Sequence, residues 1–292
     1  MAGSGWTTTS ALADSLDDIR SSARIVREYE GAVPQLVEHQ TLGEGIGLSW
    51  QELKYDQLTA QAVTETTELD NPQQVADSLI SITPTVVGLE TFITDRVQKR
   101  ISKKGYAKMG SLGQNAIQRK KDEDGLVLFA SATGTSDPGA GVTLSSGYIA
   151  SASANITGNT TEPGHPPIRC VLHPFQIKDL YDELVAGVGT YVVGEGPTAR
   201  VFSQGWNLPV AGCEIYPDGN ITIDGEGDAK GGVFAQEGII LVQGRAPRVI
   251  PVRNEKRGGG GHHVYHYDEY AFGIRLSNWV YLMESDATAP TS

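Results

Sequence analysis

Cysteine is scarce: the 292 residues hold two, Cys170 and Cys213. That excludes a disulfide framework and fits a reducing compartment. No apolar run approaches the roughly 18 residues that a membrane-spanning helix needs. The opening MAGSGWTTTSALADSLDD lacks the basic region and apolar stretch of an export signal. No membrane partner is therefore expected. Cationic side chains are outnumbered, 23 Lys and Arg against 35 Asp and Glu, for a net charge of −12. Wrapping DNA requires many neutralised phosphates, so any contact with nucleic acid is expected to be loose.

Motifs of nucleotide and hydrolase chemistry are also missing. Gly-x4-Gly-Lys-Ser/Thr and Gly-x-Ser-x-Gly do not occur. The pairs Gly194/Gly196 and Gly225/Gly227 lack the third glycine of a dinucleotide loop. DGNITIDGEGD has Ile223 where a calcium loop requires glycine. Cys170 and His173 lie three apart on an expected strand and so face opposite sides.

KRGGGGHHVYHYDEY, residues 256–270, is the one stretch that invites a chemical reading. Val264, Tyr265, Tyr267, Tyr270 and Phe272 favour a strand. On a strand His262 and His263 point to opposite faces, and His262 and His266 lie about 13 Å apart. One zinc needs each nitrogen at about 2.0–2.1 Å. A strand after the glycines, in place of a helix, offers no phosphate cradle. The expectation is a glycine loop tip joining two long antiparallel strands, with no metal, no cofactor and no catalytic residue. The competing reading is a metal-dependent enzyme using His262, His263 and His266.

The remaining sequence describes an α+β chain. Leu12, Leu16, Ile19, Ala23 and Val26 form a narrow apolar stripe on a helix over 10–30, which Gly31 and Pro34 end. Residues 43–70 read as a mostly polar strand pair that projects as an arm, with strands near 48–52 and 62–68. An extended segment follows, interrupted at Pro84, then a short strand GLETFI, then Thr94 as a helix cap. A long helix is predicted over 95–123, with Val97, Ile101, Met109, Leu112 and Ala116 near one face and a break near Gly105. Its clusters Lys99, Arg100, Lys103, Lys104 and Arg119, Lys120, Lys121 read as a solvated face balanced by acidic neighbours. PPIRCVLHPFQIKDLYDELVAG predicts a strand at Ile168–Leu172, then a helix opened by Pro174 and closed by Gly187. Two short strands are expected around Pro217-Asp218-Gly219-Asn220, then a buried strand at 238–242, a more exposed one with proline interruptions, and strand material after the four glycines to the C-terminus.

This order of elements resembles the major capsid proteins of tailed bacteriophages with the Hong Kong 97 fold. ITPTVVGLETFITDRVQKRI looks like the entry to the family's spine helix and KKDEDGLVLFASATG like its exit. VLHPFQIKDLYDEL resembles the axial strand–helix unit, and RVIPVRNEKRGGGGHHVYHYDEYAFGIRL the peripheral-domain hairpin. The resemblance implies an N-terminal arm over 1–42, an extended hairpin loop over 43–82 and a peripheral domain with the spine helix over 83–130. It further implies an axial domain over 131–245, a peripheral hairpin over 246–277 and a C-terminal strand and tail over 278–292. Loops near 187–200 would line the capsomer centre.

The implied function is a subunit that assembles through hexamers and pentamers into an icosahedral head around double-stranded DNA. It would be located in the virion and assembled in the host cytoplasm. A spine starting near residue 94 leaves no room for a fused scaffolding segment, which implies a separate scaffolding protein or none; portal and decoration proteins are the other partners the resemblance allows. Candidate inter-subunit residues are Leu12, Leu16, Ile19 and Val26 on the arm and Trp50, Leu53, Lys54 and Tyr55 on the loop. Some family members crosslink through a loop lysine. Lys54 lies in that region and Glu269 could assist, but no asparagine partner can be matched. Another virion component, a tail tube or decoration protein, is the alternative within the same class.

Overall fold

The computed structural model describes residues 31–66, 68, 72–96, 105–188, 209–256 and 259–290. The helix expected over 10–30 and the loops at 189–200 lie outside the described residues. Four described helices are α1 (Val33–Leu36), α2 (Gly105–Ala130), α3 (Ser146–Thr157) and α4 (Pro174–Val188). The strands are β1 (Glu38–Thr41), β2 (Trp50–Tyr55), β3 (Asp77–Ile82), β4 (Thr85–Thr94), β5 (Gly134–Thr135) and β6 (Ile168–Leu172), followed by β7 (Cys213–Pro217), β8 (Asp228–Ala235), β9 (Ile239–Asn254), β10 (Gly261–Ile274) and β11 (Val280–Asp286). They form a five-stranded sheet in the order β5-β11-β8-β6-β7, a four-stranded sheet in the order β1-β9-β10-β4, and a two-stranded ribbon β2-β3.

The chain forms two compact units. One takes its described residues from Val87–Gln118 and Pro247–Asp268, the other from Tyr29–Val86, Arg119–Ala246 and Glu269–Ser292.

The second, larger unit is built on the five-stranded sheet. β6 is parallel to β7 and antiparallel to β8, and β8 is antiparallel to β11. Three of the five residues of β6 alternate as expected, but Val171 on the other face is also fully buried, because β6 lies inside the sheet. Pro174 starts α4, and Leu180 points into a core with Ile149, Ile156, Cys170, Leu172, Val233 and Met283. Burying each aliphatic side chain of this kind stabilises by roughly 1.5–3 kcal/mol. Cys170 and Cys213 are free and fully buried, so burial pushes the Cys170 thiol well above its ordinary pKa. They are core residues, as the strand alternation required.

Several elements differ from expectation. The return strand of the ribbon is β3, not 62–68; the described residues between β2 and β3 form no helix or strand. The Thr- and Glu-rich segment leaves its one valine, Val63, exposed, whereas Ile80 and Ile82 meet a core. GLETFI is the end of one continuous strand, β4. Helix α2 runs to Ala130, past the expected end at 123, because Leu126 and Phe129 extend its buried side beyond Ile117 and Asp122. Leu112 is 39% exposed, and Gly113 beside it faces inward. β9 is a single 16-residue strand where a buried and a separate exposed strand were expected. The strand expected after Asn220 is only an isolated bridge, Ile223 to Ala229.

The smaller unit contains part of α2, β4 and the tip of the β9–β10 hairpin. Gly259 and Gly260 adopt positive φ values of 76° and 98°, which the turn between the strands requires. Asp95 secures this tip: its backbone N–H donates to Gly260 O at 2.9 Å and its carboxylate pairs with Arg253 at 3.1 Å.

Candidate functional site

The β2–β3 ribbon belongs to the larger unit and has two unlike faces. Its antiparallel register sets Trp50 opposite Ile82, Glu52 opposite Ile80, and Leu53 opposite Leu79. One face turns inward. Ile82 packs with Ile240 and Val242, and Trp50 and Ile80 pack against that cluster. Two polar side chains on this face are anchored by charge. Arg275 Nε donates to Glu52 Oε2 at 2.8 Å, and Arg275 also grips Glu38 with two bonds of 2.6 and 3.2 Å. Those bonds hold the Glu38 carboxyl below its ordinary pKa. Lys54 Nζ lies 2.5 Å from Glu162 Oε2.

The other face carries Gln51, Leu53, Tyr55, Leu79 and Ser81, all exposed. Beyond the strands, Leu58, Val63 and Val75 are each more than half exposed. The connecting segment is held together by Asp56 N–H donating to Ala76 O at 3.0 Å and Thr59 N–H donating to Gln73 Oε1 at 2.8 Å. Leu53, Tyr55 and Leu79 thus give this face exposed apolar surface.

The candidate residues therefore separate. Leu53 and Tyr55 share the outward face, Trp50 packs against its own chain, and Lys54 is paired within its own unit. Leu12, Leu16, Ile19 and Val26 lie outside the described residues. Leu79, Glu38, Glu162 and Arg275 were missed. Leu79 was legible in DSLISI as the residue out of phase with Ile80 and Ile82, but the three charged partners come from distant segments and carry no local signal.

The histidines occupy separate environments in the smaller unit. His263 is buried against Phe92, with ring centroids 4.4 Å apart, and bonds through Nδ1 to Glu90 and through Nε2 to the Asn254 amide at 2.9 Å. His262 Nδ1 lies 3.8 Å from an Asp95 oxygen. His266 is 1% exposed, and neither ring nitrogen has a hydrogen-bond partner. Among the described residues no three His, Cys, Asp or Glu side chains gather as metal ligands. None of their helices is long and apolar enough to cross a membrane. In the second basic cluster of α2, Lys120 pairs with Asp124 at 2.6 Å and Arg119 with Glu123 at 3.6 Å, the balanced face that was expected. The first cluster lies outside the described residues.

No protein-family model matches the chain, and no curated protein sequence is similar to it. Solved structures are similar over nearly its whole length. The capsid of cyanophage P-SCSP1u superposes with a TM-score of 0.71 at 13% identity, covering 97% of this chain and 96% of the other. The head of Helicobacter pylori bacteriophage KHP40 gives 0.69 at 10% identity, covering 98% and 99%. The capsid of Ralstonia phage GP4 gives 0.68 at 13% identity, covering 98% and 100%. The chain has the Hong Kong 97-like phage capsid fold. Identities this low carry the architecture, while the ion pairs of Arg275 and Lys54 are read from this chain alone.

Proposed function

We propose that the chain is the major capsid protein of a tailed phage, assembling through hexamers and pentamers into an icosahedral head around double-stranded DNA. The observation that carries this reading is the capsid fold over 97% of the chain together with a ribbon that presents Leu53, Tyr55 and Leu79 outward. A neighbouring subunit is the occupant of that face. The arm helix, through Leu12, Leu16, Ile19 and Val26, is a second contact between subunits. The segments 83–130 and 246–277 serve as peripheral domain and 131–245 as axial domain. The protein works through its interfaces and not as an enzyme. It resides in the virion after assembly in the host cytoplasm, with scaffolding, portal and decoration proteins as separate partners. A net charge of −12 suits a container that touches its genome only loosely.

Negative-stain electron microscopy of the purified chain, expressed with and without the neighbouring genes, tests this. Closed shells, hexamers or pentamers are expected. Open tubes or rings would point to a tail component, and a monomer under every condition would remove the reading.

A further inference from the structure

At Gly31 the described chain begins, and its next two amides end on two buried carboxyl groups. Ala32 N–H donates to Asp218 Oδ2 at 2.9 Å, and Val33 N–H donates to Asp122 Oδ1 at 3.0 Å. Asn220 bridges the acids: its Nδ2 donates to Asp122 Oδ2 at 2.9 Å and its backbone N–H donates to Asp218 Oδ1 at 2.9 Å. Both acids are fully buried, at 0% exposure, and Asn220 holds a bond to each of them. A side chain at Gly31 would overlap the Asp122 carboxyl, so the backbone lies directly against it.

Two neighbouring carboxyls away from water cannot both ionise cheaply, which drives Asp122 to keep its proton. Among the described residues neither acid forms an ion pair with Lys or Arg. From α1 come only backbone amides, and from the turn after β7 only Asn220 besides Asp218. The end of β6 contributes His173, whose burial holds its pKa below the ordinary value against the opposing pull of Asp218.

We propose that Asp122 and Asp218 form a proton-dependent latch that fastens the root of the N-terminal segment, residues 31–36, to the body of its unit, closed with the proton on Asp122 in place and loosened when it leaves. The latch stands whether or not the chain builds a shell. Burial pushes Asp122 up to about 7, and the neighbouring Asp218 adds to this against the bond from Asn220. The closed form therefore keeps a proton that an opened, solvated Asp122 would release above its ordinary 3.8. Closure is strongest in acid, weakens as the pH rises from there to about 7, and is constant above that.

Hydrogen-exchange mass spectrometry of the full chain between about pH 5 and pH 8 tests it, with rates corrected for intrinsic exchange and the β6 amides as internal reference. Protection of amides 32–36 should fall by up to about tenfold per pH unit from pH 5 to pH 7 and then level off, while β6 stays constant. Asp122→Asn should abolish the fall. A flat wild-type profile over 32–36 overturns the latch. So does an unchanged fall in Asp122→Asn, or in Asp218→Asn should the first variant not fold.

Discussion

Leu53 and Leu79 stand directly opposite each other on the outward face of the β2–β3 ribbon, 47% and 58% exposed. A paired position of this kind on a ribbon whose inner face is already anchored has no role in folding the chain by itself. Leu53→Asp combined with Leu79→Asp is expected to leave unfolding free energy within about 0.5 kcal/mol of wild type, as exposed substitutions do. The same variant should not form closed shells. Urea unfolding and negative-stain microscopy on one preparation separate the two effects. Normal particles from the double variant would remove the ribbon face from the assembly surface.

Arg275 reaches Glu38, Glu52 and the Glu237 carbonyl, so one side chain secures β1 and the ribbon together. Its side chain is 17% exposed, and the carboxylates are about twice as accessible. Hydrogen bonds to charged groups contribute roughly 1.5–3 kcal/mol, reduced here by partial exposure. Arg275→Ala should lower stability by about 2 kcal/mol and should speed protease cleavage between residues 56 and 76. Lys54→Ala, which removes one surface pair, should cost no more than about 1 kcal/mol. Equal losses from the two variants would contradict the assignment of Arg275 as the principal anchor.

Gly113 and Gly110 belong to the same helix and should respond oppositely to alanine. A Cβ at Gly113 would meet the His266 ring at 2.5 to 2.7 Å, whereas a Cβ at Gly110 would have open space around it. Gly110→Ala is expected to stabilise by up to about 1 kcal/mol through helix propensity. Gly113→Ala should destabilise by about 1–3 kcal/mol, because the buried imidazole would have to give way to the new methyl group. Thermal unfolding of both variants decides it, and a stabilising Gly113→Ala would mean that His266 is free to move.

The same glycines show why part of the fold was legible in the sequence and part was not. The β6–α4 unit followed from local signals: alternation at Ile168, Cys170 and Leu172, then Pro174 at the first helical position. Strand β8 escaped because Gly231 and Gly232 contribute no side-chain alternation; the Val171 carbonyl and the Phe129 ring leave no space for side chains there. Helix α2 was cut short at its C-terminal end for a similar reason, since Gly125 lies under Val33, a residue 92 positions earlier. The ribbon was visible as an arm, but its return strand was placed over polar residues that alternate without meeting a core. Local pattern identifies elements; the positions where distant backbones approach closely are set by tertiary packing, which the pattern does not carry.

Two carboxyl groups pull the pH dependence of stability in opposite directions, and their variants should separate the two. Glu38 is held below its ordinary 4.5 by Arg275, so its contribution is present above that value and is lost as the pH falls through the lower folded-state value. Asp122 is raised to about 7, so its contribution is full below its ordinary 3.8 and is lost as the pH rises from there to about 7. The wild-type chain should therefore gain stability on acidification from pH 7 to pH 5, by at most about 1.4 kcal/mol per pH unit from this group. Asp122→Asn should flatten that gain without altering the loss at lower pH. Glu38→Gln should lessen the loss below about pH 4.5 and leave the gain between pH 7 and pH 5 intact. Urea midpoints measured at intervals from pH 4 to pH 8 for the three proteins give the answer. A profile from pH 7 to pH 5 that Asp122→Asn leaves unchanged would show that Asp122 is ionised in the folded state, since the buried His173 acts alike in both proteins.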